Sequence, residues 1–374
     1  MLFKDIIGQQ AVKKKLLQGV SENRIPHAQL FAGNGGMGEL PLAIAYARYL
    51  NCKERTADDS CGKCSSCVKF NKLIHPDLHF VFPVFKKKTN QDSISDDFLP
   101  EWRELVLNTP YFGQSQWFSM LNAENKQFSI FKQESHQIIK KLNLKTFEAD
   151  YKTMIIWLPE RMNLTAANKL LKMIEEPPPY TIFLLVSENP GKMLQTIISR
   201  TQLIKVPPIE AEEMEKAVLE KLSLSEQQAR KIVHLANGSY LKALKALEND
   251  ADDKKYHQLF VTFMRYSYKP SVEDILPFID GLASEGREKI KGFLNYSLQF
   301  LRECFIKGMA PSDIVYMSEE EEQFSQKFAK LIHQRNIYQL TDEFNAAFYH
   351  IESNGYEKII LLDLSIKISV LLKR

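Results

Sequence analysis

The stretch Leu30-Phe31-Ala32-Gly33-Asn34-Gly35-Gly36-Met37-Gly38-Glu39-Leu40 decides the fold. An apolar run typical of a buried strand leads into a glycine-rich loop and then into a predicted helix. This is the context that a phosphate-binding P-loop, G-x-x-x-x-G-K-[ST], requires. Gly33 and Gly38 hold the two glycine positions of that motif. The sequence therefore predicts an α/β fold of the P-loop type around this loop.

The same loop lacks the side chains that act on a nucleotide. Glu39 stands where a lysine would reach the β- and γ-phosphates, and Leu40 stands where a hydroxyl would hold Mg²⁺. A carboxylate there would meet a triphosphate as a like charge. The acidic positions that P-loop ATPases place after a later strand hold Trp157 and Leu158. Glu160 is a shifted candidate, but the missing lysine argues against a rescued site, so we expect no hydrolysis of nucleotide.

Strands and helices alternate through residues 1–207. Apolar runs predict strands at 28–32, 153–158 and 181–186, β-branched and aromatic residues predict one at 78–84, and a fifth short strand is predicted at 202–206, with helical patterns between them. Such alternation is typical of a doubly wound parallel sheet covered by helices on both faces. Beyond Pro207-Pro208 only helical patterns follow, which predicts a small helical domain over 208–250 and an all-α C-terminal domain over 251–374.

A segment of about 86–133 interrupts this alternation. It contains the large aromatic residues Trp102, Tyr111, Phe112, Trp117 and Phe118. These side chains either pack on the main domain or meet a partner. Packing is favoured because most large apolar residues belong to a core.

Four of the five cysteines form the cluster Cys52-x8-Cys61-x2-Cys64-x2-Cys67. Short C-x-x-C turns bring two thiolates within range of one ion, and four thiolates complete the tetrahedral shell of a structural zinc site. The alternative is four reduced, buried cysteines without a metal, but such clustering favours zinc. The sequence therefore predicts a zinc module over 52–67.

Composition and charge exclude several classes of protein. A chain of 374 residues with 44% hydrophobic and 25% charged residues is typical of a globular protein with two or three domains. The net charge of +3 is too small to indicate nucleic-acid binding by itself. The first residues lack the pattern of a secretory signal, and the apolar stretch 359–372 is interrupted by polar residues at helical spacing. We expect a cytoplasmic protein with no membrane partner.

Five motifs occur in a fixed order along the first part of the chain. They are Ile7-Gly8-Gln9-Gln10, Pro26-His27-Ala28-Gln29-Leu30-Phe31, the four-cysteine module, Ala166-Ala167-Asn168-Lys169-Leu170-Leu171-Lys172 with Glu175-Glu176-Pro177-Pro178, and Thr196-Ile197-Ile198-Ser199-Arg200-Thr201. In this order they resemble the bacterial clamp-loader subunits of the AAA+ class. The resemblance covers residues 1 to about 206, and the helical remainder agrees in pattern only.

The resemblance implies a AAA+ fold with a helical lid domain, a C-terminal collar domain and a place in a hetero-oligomer. In that family a non-hydrolysing subunit joins gamma/tau-like ATPase subunits and a delta-like subunit in a ring that loads the sliding clamp onto primed DNA. Its Ser-Arg-Cys motif supplies an arginine finger to the neighbouring ATP site. Ser199-Arg200-Thr201 matches this motif except at the last residue, so the resemblance implies that Arg200, with Ser199, acts in trans.

Other interpretations stay open at this point. The degraded ATP motifs, and Leu241 where ATPase relatives carry an arginine, favour the non-hydrolysing type of subunit. One alternative is an active AAA+ ATPase or motor with unorthodox motifs, against which Glu39 argues. Another is a zinc-containing DNA-binding scaffold, which would bind DNA alone with a steep dependence on salt. For Arg200 the alternative role is an ordinary surface salt bridge.

Overall fold

The computed structural model describes residues 1–374 except 88–92, 124–125, 223, 249, 270, 310–316, 318, 354 and 374. Contacts within the described part divide the chain into two compact units, Met1–Ala246 and Leu247–Arg374. The first unit is α/β and the second is built from helices. The division into three domains, with 208–250 as a lid domain of its own, stays a prediction.

The first unit contains the predicted parallel sheet. Its strands are β1 (Ala28–Ala32), β2 (Leu78–Val81), β3 (Lys152–Trp157), β4 (Thr181–Ser187) and β5 (Gln202–Lys205), in the order β2-β3-β4-β1-β5. Every neighbouring pair is parallel. Strands β1, β3 and β4 are buried along their whole length, as expected of central parallel strands covered on both faces. All five predicted strands are present, although β2 is shorter than the predicted range.

Helices cover both faces of the sheet and continue after β5. They are α1 (Gln10–Ser21), α2 (Glu39–Leu50), α3 (Ser65–Asn71), α4 (Leu99–Asn108), α5 (Gln114–Met120), α6 (Lys132–Asn143), α7 (Leu164–Glu175), α8 (Gln195–Ile198), α9 (Ala211–Leu222), α10 (Glu226–Ala236) and α11 (Tyr240–Glu248). Helix α2 follows the glycine loop and is buried on all sides, which explains its nearly continuous Ala, Leu and Ile composition.

Of the five aromatic residues named in the segment 86–133, four are buried in the core and Phe118 is half-buried against it, which confirms the prediction that they pack on the main domain. Trp102 and Trp117 are fully buried, and Trp102 stacks on Phe82 with ring centroids 4.2 Å apart. Residues 88–92 and 124–125 of this segment lie outside the described residues. Its helices α4 and α5 therefore belong to the packing of the α/β unit.

The second unit consists of helices α12 (Asp250–Tyr268), α13 (Val272–Ser284), α14 (Arg287–Met309), α15 (Glu319–Phe328), α16 (Ile337–Glu352) and α17 (Glu357–Leu371). Their apolar faces form one core, which includes Phe260, Phe293, Phe344 and Cys304. Across the described ranges, no helix is both long enough and apolar enough to cross a lipid bilayer.

Candidate functional site

The glycine loop lies between β1 and the N-terminus of α2, at the carboxyl end of the sheet. Gly35, Gly36 and Gly38 have positive φ angles of 83°, 76° and 101°. Loops of this kind turn successive backbone N–H groups toward one point and can hold an anion there, as can the N-terminus of a helix. The backbone of a phosphate-binding loop is therefore present.

The Glu39 side chain occupies this loop from within. Glu39 is 4% exposed, and its carboxylate accepts hydrogen bonds from the backbone N–H of Gly35 at 3.0 Å and of Met37 at 2.9 Å. A Cβ atom at Gly33 would overlap the Glu39 carboxylate, so this close approach requires a glycine. Burial raises the pKa of Glu39, and the surrounding N–H groups oppose that rise. The sequence predicted only a like charge facing a triphosphate, whereas the structure shows a carboxylate inside the loop.

Little space remains where a nucleotide would bind. Trp157, at the end of β3, has its ring 5.2 Å from the rings of both Phe112 and Trp102. Leu40 is buried in the core. The cavity between the loop, Trp157 and Tyr111 has a volume of about 10 Å³. Pockets that bind small molecules usually measure about 300–1,000 Å³, and one water needs about 10–15 Å³.

Residues at the start of α11 cover the loop from its other side. The Ser239 hydroxyl donates to the Gly35 carbonyl and the Tyr240 N–H donates to the Gly36 carbonyl, both at 2.9 Å. A Cβ atom at Gly36 would overlap the side chain of Leu241. The sequence indicated a lost nucleotide contact at Leu241, and the structure shows this side chain buried against the loop.

Two further carboxylates lie near the loop. Glu160 accepts hydrogen bonds from the backbone N–H of Glu188 at 3.0 Å and of Asn189 at 2.9 Å, so it caps the end of β4. Glu188 accepts a hydrogen bond from Gln114 at 3.1 Å, and burial raises its pKa to about 7. Glu160 thus has a structural use in this conformation, whereas the sequence left it as a shifted catalytic acid.

Sequence reasoning missed Tyr111, Glu188 and Ser239 as parts of this site. They come from three segments far apart in the chain. Tyr111 and Glu188 belong to no motif that the sequence analysis used, and Ser239 precedes Leu241 in the stretch where only the missing arginine was noted. The Tyr111 hydroxyl accepts a hydrogen bond from the Ile7 N–H at 2.9 Å, and its ring lies 5.0 Å from that of Tyr240. The many aromatic residues of 86–133 signalled that this segment packs on the main domain, but they did not indicate which residue would reach the glycine loop.

Arg200 lies on the surface after the short helix α8. Its Nε atom is 2.5 Å from Oε1 of Glu175, and Nη1 donates to the Thr196 carbonyl at 3.1 Å. About 40% of its side chain is exposed. Ser199 is also exposed and donates its hydroxyl to Thr196 at 3.1 Å. The guanidinium is therefore accessible to solvent and is paired with Glu175 in this chain.

The four predicted cysteine ligands come together. All sulfurs of Cys52, Cys61, Cys64 and Cys67 lie within 4.8 Å of one another, and those of Cys61 and Cys67 are 3.9 Å apart. Sulfurs about 2.3 Å from a tetrahedral zinc ion would be about 3.8 Å apart. The Cys64 N–H donates to the Cys61 sulfur at 3.3 Å, and such bonds lower the pKa of the Cys61 thiol. The donor set and its spacing fit a structural zinc ion.

Comparison with known proteins identifies the family. A family model described as DNA polymerase III, delta subunit, matches residues 8–210. This chain belongs to that family. The DNA polymerase III subunit delta' of Bacillus subtilis is 29% identical over 242 residues, which is 65% of this chain and 60% of the relative. The resemblance to bacterial clamp-loader subunits that the sequence motifs indicated is therefore confirmed, and a delta' subunit is among the matched relatives.

The chain is also similar to tau and gamma subunits of DNA polymerase III. The tau subunit of Bacillus subtilis is 24% identical over 388 residues, covering 98% of this chain and 61% of the relative. The chain thus spans about three fifths of the length of these two relatives. A solved gamma-subunit-related protein from Thermotoga maritima aligns over 96% of this chain with a TM-score of 0.41 and 14% identity. The family assignment depends on the sequence matches alone.

Proposed function

We propose that this chain is a non-hydrolysing subunit of the cytoplasmic clamp loader of DNA replication. One observation carries the proposal: the cavity beside the glycine loop, between Trp157 and Tyr111, has a volume of only about 10 Å³. A nucleotide needs a pocket many times larger. Membership of the DNA polymerase III family supplies the setting, since its matched relatives include delta', tau and gamma subunits.

The proposed contribution of this chain to ATP hydrolysis is made in trans. Arg200 is exposed and carries a permanently charged, planar guanidinium suited to phosphate oxygens. Its partner here, Glu175, is itself about 43% exposed, so the pair is solvated and weakly held. A phosphate group of a neighbouring subunit's nucleotide would compete well for such an arginine. Ser199 precedes it and shares its surface.

The proposed partners follow from the same role. They are gamma/tau-like ATPase subunits, a delta-like subunit, the sliding clamp and primed DNA within the complex. The zinc ion proposed for Cys52, Cys61, Cys64 and Cys67 would be structural, since four sulfur ligands leave no position for a reacting water.

The test is ATP hydrolysis by the cognate ATPase subunits in the presence of clamp and primed DNA. The reaction is run without this chain, with the wild-type chain, and with Arg200→Ala or Arg200→Lys. An arginine finger contributes about 10³–10⁵-fold to the rate of hydrolysis at its own site, so we expect turnover at that site to be lost with either variant. Arg24→Ala is the matched control, because Arg24 is also an exposed arginine paired with a carboxylate.

The outcomes separate the alternatives. If Arg200→Ala leaves turnover unchanged while the complex still assembles, the chain is a scaffold without a finger. If the isolated wild-type chain hydrolyses ATP, it is an active ATPase and the proposal is wrong. Tight, salt-sensitive DNA binding by the isolated chain would instead favour the DNA-binding scaffold.

A further inference from the structure

The contacts of Glu39 form a continuous chain from the carboxylate to the helix that covers the loop. The Met37 N–H, which donates to Glu39 at 2.9 Å, belongs to the same peptide group as the Gly36 carbonyl. That carbonyl accepts the Tyr240 N–H at 2.9 Å. One peptide group therefore connects the carboxylate on one side with α11 on the other.

A negative charge at the N–H end of a peptide group polarises it and strengthens its carbonyl as an acceptor. A second connection runs beside the first. Gly35 donates its N–H to Glu39 at 3.0 Å and accepts the Ser239 hydroxyl on its carbonyl at 2.9 Å. The anion and α11 thus hold the same short piece of loop from opposite sides.

We infer that Glu39 is the internal ligand of the glycine loop: its carboxylate takes the place of a bound phosphate and so fixes the start of α11 on the loop without nucleotide. The N–H groups around the carboxylate, including those of Gly38 and Glu39 itself, stabilise its charged form in a buried position. The inference deepens the proposed function, since it explains how a loop without nucleotide stays ordered. It is tested on the isolated full chain and does not depend on Arg200.

Removing the carboxylate should create a site for an oxyanion. In Glu39→Ala the freed N–H groups would face the space left by the whole Glu39 side chain beyond Cβ, which is close in size to inorganic phosphate. Loss of two charge-assisted hydrogen bonds in a unit of this size should lower the melting temperature by roughly 5–10 °C. Adding phosphate should recover several degrees of this loss, because a ligand that binds only the folded state raises its stability.

Phosphate stabilises many proteins without binding to them, so matched controls are needed. They are the wild-type chain and Glu134→Ala. Glu134 is also a buried carboxylate that accepts a backbone N–H, from Ser95 at 2.6 Å, but it does not lie in the glycine loop. We expect a phosphate-dependent gain in Glu39→Ala that exceeds the gain in both controls. Equal gains in all three chains would overturn the inference.

A second variant tests the same contact without changing Glu39. Gly33→Ala places a methyl group where the carboxylate lies and should displace it, lowering the melting temperature by several degrees. In the Glu39→Ala background that methyl group has room, so the second substitution should cost almost nothing. Additive losses in the double variant would overturn the inference.

A milder variant keeps the test usable if Glu39→Ala does not fold. Glu39→Gln keeps one acceptor oxygen and loses the charge. Hydrogen exchange of the Tyr240 amide, read by mass spectrometry of peptides covering 238–246, should accelerate at least several-fold in this variant. Unchanged exchange would show that the charge does not hold α11 on the loop, and the inference would be wrong.

Discussion

The glycine loop and the cysteine module both bring several groups together around one point, as ligand sites do. They differ in what those groups bind. In the loop, backbone N–H groups converge on Glu39, a side chain of the same chain. In the module, the converging groups are four sulfurs within 4.8 Å of one another. Thiolates this close repel each other unless a cation lies among them. A binding motif therefore predicts a ligand from outside the chain only where no side chain of the protein takes the place of that ligand.

The largest expected effect comes from the module. Cys67→Ser removes one of the four proposed zinc ligands, and we expect the first unit to lose about 4 kcal/mol or more of its free energy of unfolding. Metal analysis should find about one zinc ion per wild-type chain and less in the variant. Cys304→Ser is the control, since Cys304 is equally buried but lies in the second unit. A wild-type chain that folds without zinc would remove the contrast between module and loop.

An intermediate effect is expected at the contact between the loop and Leu241. Gly36→Ala combines a positive φ of 76° with a side-chain overlap, and we expect a loss of about 2–3 kcal/mol in the free energy of unfolding, measured by denaturant titration. Gly281→Ala is the matched control, because Gly281 lies inside α13 with open space around it. That substitution should stabilise the helix by about 0.5–1 kcal/mol. Similar losses in both variants would argue against tight closure of the loop.

A smaller effect should appear as a dependence on pH. Burial raises the pKa of Glu188 from its ordinary value of 4.5 to about 7, so the folded chain holds this proton more tightly than the unfolded chain. The contribution of protonated Glu188 to the free energy of unfolding is therefore present at low pH and is lost as the pH rises through about 7. Between pH 5.5 and 8.5, wild type should lose about 2 kcal/mol more than Glu188→Gln in its free energy of unfolding, measured by chemical denaturation. Glu22→Gln, at an exposed site, should follow wild type.

The smallest effect is expected from restoring the motif. Glu39→Lys with Leu40→Thr rebuilds the P-loop consensus, yet Trp157, Tyr111 and the start of α11 still fill the space. We expect no measurable binding of ATP with Mg²⁺ by calorimetry. Micromolar binding would show that the two side chains alone exclude nucleotide, and that the closed cavity does not.

Much of this architecture could be read from the chain. Apolar runs predicted β1, β3 and β4, because central parallel strands are covered on both faces. The edge strands β2 and β5 were also predicted, although three of the four residues of β5 are exposed. The spacing of Cys52, Cys61, Cys64 and Cys67 predicted their approach, because short turns leave the sulfurs few other arrangements. The substitutions at Glu39 and Trp157 marked the loop as unusual. Each of these features depends on residues close together in the chain, so the sequence pattern was enough to predict it.

Other features depend on contacts between distant segments. The direction of the Glu39 carboxylate depends on Gly33, which leaves room for it, and on loop N–H groups that no other acceptor takes. The closure of the site depends on Tyr111 and Ser239, which approach the loop from more than 70 positions away in the chain. The sequence by itself determined the sheet, the cysteine cluster and the absent lysine. Only the tertiary structure decided that the loop is filled, because which groups meet there is set by packing and not by spacing.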